Sequence, residues 1–262
     1  MPTLHRFSRT ELLIGRGGLA TLGSKHVLIC GIGGVGSYAA EALGRAGVGR
    51  ITLVDFDDIC LTNVNRQIHA LSSTLGRPKV EVMAERLRDI NPAAAIVPIR
   101  AFFSRDTADE LLAPAPDYVV DAIDHFTAKA ALITCCRDRS IPVISSMGAA
   151  NKLDPTRIHV NDISATRHCR MARSMRKILR NNGIESGVKV VYSTEEHREL
   201  APETTIHCGK SDDCPHRDDK SFRCENREII LGSVSFIPSI FGLTMAGVVV
   251  GELLAENKSQ DS

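Results

Sequence analysis

Six residues, Gly31-Ile32-Gly33-Gly34-Val35-Gly36, follow a short apolar run and lead into a stretch with helical spacing. Glycines spaced in this way let a backbone approach a phosphate chain closely. A helix starting at the last of them turns its unpaired N–H groups toward negative charge. Asp55 stands 19 residues after Gly36 at the end of a second apolar run, where a carboxylate can hold ribose hydroxyls. This pattern predicts a nucleotide and leaves the choice among NAD, FAD and ATP open. A glycine-rich turn that binds nothing is the bland alternative, and the strand–loop–helix context disfavours it.

The flanking charges narrow the choice. Asp55-Phe56-Asp57-Asp58 is followed by Asn65-Arg66-Gln67, then Lys79, then Asp121-Ala122-Ile123-Asp124. A nicotinamide site has no use for two cations and several carboxylates around a phosphate loop, whereas a triphosphate does. Arg66 can meet phosphate oxygens in fork geometry and Lys79 as a point charge. Asp124 can hold Mg²⁺, which is bound through one or two carboxylates together with substrate phosphates.

Two further clusters carry chemistry. Residues 163–184 contain Arg167, Arg170, Arg173, Arg176, Lys177 and Arg180, interleaved with Met171, Met175, Ile178 and Leu179. Steps of three put most of these cations on one side of a helix, expected over 165–182. Six like charges in one stretch favour a polyanion partner over a merely solvated face. Residues 197–228 are polar and rich in Cys and His. Cys208, Cys214 and Cys224, with Cys169, His207 and His216, lack the paired C-x-x-C spacing of a zinc ribbon. Three readings stay open: a loop with free thiols, a zinc or iron–sulfur site, and a sulfur relay that calls for a sulfur-carrier or desulfurase-type partner. Cys135-Cys136 is expected in a helix core.

The elements that must position these groups alternate. Apolar runs at 26–31, 51–55, 95–99, 117–121 and 141–145 read as strands. Residues 33–47 read as a turn and helix, and 78–91 as a helix with Pro78 in its first turn. The alternation predicts an α/β fold, a doubly wound, mostly parallel sheet of Rossmann type. Further strands are expected at 157–163 and 188–193. Residues 1–262 are expected to form one domain in which 157–232 is a substrate-facing subdomain.

Composition sets limits. With 262 residues the chain can bury a substantial core. Thirty-two Lys and Arg against 31 Asp and Glu exclude a generally basic nucleic-acid coat, so any nucleic-acid contact is local. Without Trp, and with 4% aromatics, base-stacking platforms are not expected to dominate. Eight cysteines are too few for a secreted disulfide scaffold, and the N-terminus shows no apolar signal core, so a cytoplasmic setting is expected. Residues 233–251 carry no charge, a length that touches the transmembrane threshold. Pro238, the glycines and several hydroxyls make a helix buried against the sheet or a dimer partner the better reading, with residues 233–236 read as a strand.

The glycine loop, Asp55-x-Asp57, Asn65-Arg66-Gln67, Lys79 and Asp124 resemble the adenylation domain of ubiquitin-activating-like enzymes, the superfamily that includes the molybdopterin-synthase and ThiS adenylyltransferases. Residues 6–155 and 233–254 are more closely similar to the tRNA threonylcarbamoyladenosine dehydratases, through Arg66-Gln67-Ile68-His69-Ala70-Leu71, the run from Lys79 to Arg86, Asp154-Pro155-Thr156 and Tyr192-Ser193-Thr194-Glu195. The resemblance implies a homodimeric, ATP-dependent enzyme that activates the carboxylate of a threonylcarbamoyl group on a tRNA adenosine and closes it into a ring with loss of water. It also implies ATP contacts at Gly34, Asp55, Asn65, Arg66, Lys79 and Asp124, and places Arg9 where a related enzyme sends an arginine to the partner subunit's ATP. Two rivals remain. One is an adenylyltransferase acting on a ubiquitin-like sulfur carrier. The other is a non-catalytic nucleotide or metal sensor.

Overall fold

The computed structural model describes residues 4–201 and 231–258. Its elements run α1 (Ser8–Ser24), β1 (His26–Cys30), α2 (Gly36–Ala46), β2 (Arg50–Val54), α3 (Lys79–Ile90), β3 (Ala95–Ile99) and α4 (Ala108–Leu111). They continue with β4 (Tyr118–Asp121), α5 (Phe126–Asp138), β5 (Val143–Ser146), β6 (Ile158–Asp162), α6 (Arg170–Asn181), β7 (Lys189–Ser193) and α7 (Phe236–Lys258). The seven strands form one sheet in the order β3-β2-β1-β4-β5-β7-β6. Every pairing is parallel except β6 with β7. The order reverses between β1 and β4, so the carboxyl ends of these two strands form the crevice where doubly wound folds take ligands.

Both faces of the sheet are covered, which explains why its central strands are apolar throughout. On one face α2, α3 and α7 bury Ala39, Leu43, Met83, Leu87, Phe241, Met245 and Val249 against Ile29, Leu53 and Val120. On the other, α5 packs Leu132 and Cys136 against Leu28 and Val119, and α6 packs Met175 and Leu179 against Val190 and Tyr192. Cys135 and Cys136 are core residues, and burial pushes the Cys136 thiol up to about 12.

Several expectations are corrected. Residues 233–236 are not a strand: the chain runs irregularly to Ser235 and α7 starts at Phe236. Ser233 is held instead through its carbonyl by the Asn65 amide, at 2.9 Å. The basic helix begins at Arg170, five residues later than expected, because a 3₁₀ turn occupies Ile163–Ala165 and Cys169 is the N-cap. Pro78 is the cap of α3 and not a residue of its first turn. Helix α7 has the length and hydropathy of a membrane span, yet half of its apolar window is buried. Its approach to α2 is so close that a Cβ on Gly242 would overlap the Val35 carbonyl.

Candidate active site

The glycine loop joins β1 to α2 at the crevice. Gly31 has φ +88°, and a Cβ there would come within 2.7 Å of the Ala122 carbonyl oxygen, next to the end of β4. A Cβ on Gly36 would overlap the Gly31 carbonyl oxygen, so the loop closes only with glycine at both ends. Gly34 faces Pro238 of α7 and the Arg66 stem at 3.2–3.3 Å. Gly33 is open, with only the Gln67 amide nitrogen at 3.8 Å. This is a backbone cradle of the kind that receives phosphates.

Asp55 braces the cradle. One oxygen accepts from the Ile32 N–H at 2.6 Å and the other from the Asp57 N–H at 2.8 Å. The residue is 8% exposed, and burial pushes its carboxyl above the usual carboxylate range, against the opposing pull of Lys79. Lys79 Nζ donates to Asp57 Oδ2 at 2.7 Å, and its backbone N–H donates to the Asp57 carbonyl. Arg66 donates to the Thr62 carbonyl at 2.8 Å and to Asn65 Oδ1 at 2.9 Å, which aims the guanidinium along the same wall. Gln67 is buried, and its amide oxygen has no hydrogen-bond partner among the described residues. A buried amide left unpaired beside an open Gly33 suits a site that a polar ligand completes.

Asp124 lies exposed in the turn between β4 and α5. Beneath that turn is a network that sequence reasoning missed. Lys129 is fully buried and donates to Asp121 at 2.7 Å and to the Ser145 hydroxyl at 3.1 Å, while Ser145 donates to Asp121 at 2.6 Å. The other Asp121 oxygen accepts from the Ile123 N–H, so the pair fixes the backbone leading to Asp124. Asp121 was legible as a strand-end acid, but nothing in the helical run 126–138 marked Lys129 as its partner. Also missed was an aromatic cluster on this edge: Phe102 packs edge-on to Phe56 at 5.4 Å and to His125 at 5.7 Å. His69 was missed as well. It is 2% exposed, neither ring nitrogen has a partner among the described residues, and burial with Lys79 and Arg86 nearby pushes it down to about 3.

The structure therefore brings Gly31, Gly33, Gly34, Gly36, Asp55, Asp57, Asn65, Arg66, Gln67 and Lys79 to one edge. Arg9 stays apart, exposed on α1, with no hydrogen bond or ion pair to the loop among the described residues. Arg170, Arg173, Lys177 and Arg180 are exposed along α6, and Arg167 is exposed just ahead of it. Arg176 differs: it donates to the Thr166 carbonyl at 3.0 Å and to the Thr166 hydroxyl, and so anchors the entry turn. Cys169 is buried, with its sulfur accepting from the Ala172 N–H. Cys208, Cys214 and Cys224, with His207 and His216, lie outside the described residues.

Residues 7–260 match the sequence model of the ThiF family. The tRNA threonylcarbamoyladenosine dehydratase of Bacillus subtilis is 46% identical over 253 residues, covering 97% of this chain and 96% of that one. The crystal structure of the E. coli tRNA N6-threonylcarbamoyladenosine dehydratase in complex with ATP superposes with a TM-score of 0.84 at 35% identity, covering 97% and 96%. The molybdopterin-synthase adenylyltransferase of E. coli is 36% identical over a shorter stretch, 57% of this chain and 59% of its own length.

Proposed function

The chain belongs to the ThiF family, and from that premise we propose that it is an ATP-dependent enzyme that dehydrates N6-threonylcarbamoyladenosine in tRNA to its cyclic form. The observation that carries the reading is the cradle at Gly31–Gly36, braced by Asp55 and walled by Arg66 and Lys79, in a chain whose full-length relatives carry that activity. A carboxylate is a poor electrophile until one of its oxygens becomes a leaving group, and ATP supplies that leaving group. The protein positions the reactants and neutralises charge at phosphorus. Gly33 and Gly34 offer backbone N–H groups, Arg66 and Lys79 offer cations, and Gln67 offers an unpaired amide. Phe56 and Phe102 can flank a purine.

Asp124 is the residue we assign to Mg²⁺. It is a carboxylate on the turn fixed by Asp121, within the same crevice, and one carboxylate plus phosphates is what Mg²⁺ asks of a protein. Asp124→Asn should shift the magnesium titration of turnover to higher concentration; an unchanged titration removes Asp124 from the site.

The exposed cations of α6, with β6 and β7 beside them, form the substrate-facing part between 157 and 232 and contact tRNA phosphates. A homodimer is supported by α1, where Leu12 is 85% and Leu13 88% exposed on the same turn as Arg9. That apolar face suits a second copy, and Arg9 would travel with it toward the partner's nucleotide. Light scattering of the wild type and of Leu12→Asp/Leu13→Asp tests this. The five described cysteines are unpaired, which suits a reducing compartment such as the cytoplasm. A zinc or iron–sulfur centre on Cys208, Cys214 and Cys224 rests on the sequence alone, and elemental analysis of anaerobically purified protein decides it. Nothing among the described residues supports a sulfur-carrier or desulfurase-type partner.

The activity is tested by incubating the chain with modified tRNA and ATP, then analysing nucleosides by mass spectrometry. A product lighter by one water, formed only with ATP, is expected. An unchanged nucleoside overturns the reading.

A further inference from the structure

A second polar hollow lies on the same edge of the sheet, far from the glycine loop. Strands β6 and β7 are antiparallel, so the start of β6 and the end of β7 meet at the edge where β1 and β4 end. There a cavity of about 440 Å³ is lined by Arg157, His159, Asn161, Arg167, Tyr192 and Thr194. His159 pairs with Tyr192 across the two strands, and their rings lie 5.9 Å apart. Asn161 donates to the Tyr192 hydroxyl at 3.2 Å, and the Thr194 hydroxyl is 3.3 Å from His159 Nε2. His159 and Asn161 are nevertheless exposed, and Arg167 makes no hydrogen bond or ion pair among the described residues. His168, at φ +61°, turns the chain at the mouth of the cavity into α6.

We propose that this cavity is a subsite for one unpaired nucleotide of the RNA substrate, flanking the adenosine that reacts. The inference rests on the tRNA reading above. The chemistry of the lining selects the ligand. Two guanidiniums are on the lining, Arg157, which is also ion-paired with Asp154 at 3.2 Å, and Arg167, and together they suit a bridging phosphate. The exposed imidazole of His159, beside the ring of Tyr192, is an aromatic face that this cavity offers a base, and base–aromatic stacking tolerates any base. Asn161, Thr194 and the Glu196 carboxylate, also on the lining, present donors and acceptors to base edges. A volume of this size admits one base.

Position supports the same ligand. Four strand spacings separate β1 from β6, or ~19 Å at ~4.8 Å each. The cavity is therefore too far from the glycine loop to take the reacting group, and suits a neighbour along the same strand of RNA. Arg167 and His168 run directly into α6, so the cavity adjoins the cationic helix. Single-stranded RNA is read in this way, with bases splayed onto aromatic faces while cations track the backbone.

The test compares wild type, His159→Ala, His159→Phe and Arg157→Ala/Arg167→Ala in steady-state cyclisation of modified tRNA, with ATP affinity measured on each preparation. His159→Ala should raise KM for tRNA about tenfold. His159→Phe, which keeps an aromatic face, should restore KM to within about twofold of wild type. The double arginine variant should raise KM and flatten its salt dependence, because it removes phosphate contacts. ATP affinity at the wild-type level reports an intact nucleotide site, and an unchanged melting temperature reports that the β6–β7 edge has folded. If the wild type is active and all variants share its KM, the subsite is overturned and the activity stands. If the wild type forms no cyclic product, the activity itself fails. If His159→Phe is as impaired as His159→Ala, stacking is not what the cavity does and the proposal is overturned.

Discussion

Lys79 and Asp57 are joined twice, by the ammonium on the carboxylate at 2.7 Å and by the Lys79 N–H on the Asp57 carbonyl at 3.1 Å. The Asp57 N–H in turn donates to Asp55, whose other oxygen holds the Ile32 N–H. A cation of α3 is thus wired through two carboxylates to the glycine loop. In the proposed site Lys79 has two tasks, charge at the phosphates and neutralisation of the buried Asp55 and the half-buried Asp57. Arg66 is more exposed and is hydrogen-bonded to a carbonyl and an amide.

That difference is measurable. Arg66→Ala and Lys79→Ala should each lower ATP-dependent turnover by about a hundred- to a thousandfold, the loss of ~3–4 kcal/mol that follows removal of one charge-stabilising donor. Lys79→Ala should also lower the melting temperature, since it leaves Asp55 and Asp57 unneutralised, while Arg66→Ala should melt close to wild type. Turnover near the wild-type level in both variants would remove the site from this edge.

The network under Asp124 gives a stability prediction. Lys129 and Asp121 are fully buried, and removing one partner of such a pair strands the other charge. Lys129→Ala should cost about 3–5 kcal/mol, or roughly 10 °C in melting temperature at ~2–4 °C per kcal/mol. Asp121→Leu/Lys129→Met should cost less than Lys129→Ala alone. Calorimetry of both variants checks this, and a double variant worse than the single would show that the pair stabilises on balance.

His69 makes stability depend on acid. Its folded pKa is depressed to about 3 from an ordinary 6.5, so the unfolded chain takes up a proton below pH 6.5 that the folded chain refuses. Stability is full above pH 6.5 and falls as pH drops toward 3. Between pH 7 and pH 5 the loss is about 2 kcal/mol. Urea unfolding of the wild type and of His69→Leu at both pH values isolates this term. Parallel losses in the two proteins would show that His69 does not carry it.

The sheet, the crevice and the glycine cradle were legible because local patterns encode them: apolar runs, Gly spacing, and acids at strand ends. Arg66 and Lys79 were legible as charges beside the glycine loop. Long-range pairings were not legible. Nothing in residues 126–138 ties Lys129 to Asp121, and nothing in Asn65 shows that it holds Ser233, 168 residues away. Residues 233–236 looked like a strand because Ser-Val-Ser-Phe alternates. Pro238 tolerates the first turn of a helix, and the pull of α7 onto α2 and the sheet decided the outcome. Helix α1 packs Ile14 and Leu22 inward but turns Leu12 and Leu13 outward and kinks at Gly15, where φ is +74°, so its pattern was not recognised as a helix.

Helix α6 separates two kinds of cation that the sequence presents alike. At 3.6 residues per turn, Arg170, Arg173, Lys177 and Arg180 fall within an arc of ~80°. Ala172, Met175 and Leu179 are buried on the opposite side. Arg176 lies off that arc and is hydrogen-bonded to Thr166. Reversing Arg170, Arg173 and Lys177 to Glu should therefore weaken tRNA binding uniformly across tRNA sequences, because phosphate contacts carry no base information. The slope of log affinity against log salt should fall by roughly one unit for each lost contact. ATP affinity should not change, since α6 lies on the sheet face opposite α2 and the loop. Arg176→Ala should do the reverse, lowering the melting temperature through the freed Thr166 carbonyl while leaving the salt slope near wild type. Filter binding of tRNA across a salt series, with wild type, the triple variant and Arg176→Ala side by side, decides between the two. If the triple variant and wild type superimpose, the face of α6 is solvated only, and the phosphate contacts belong to another surface.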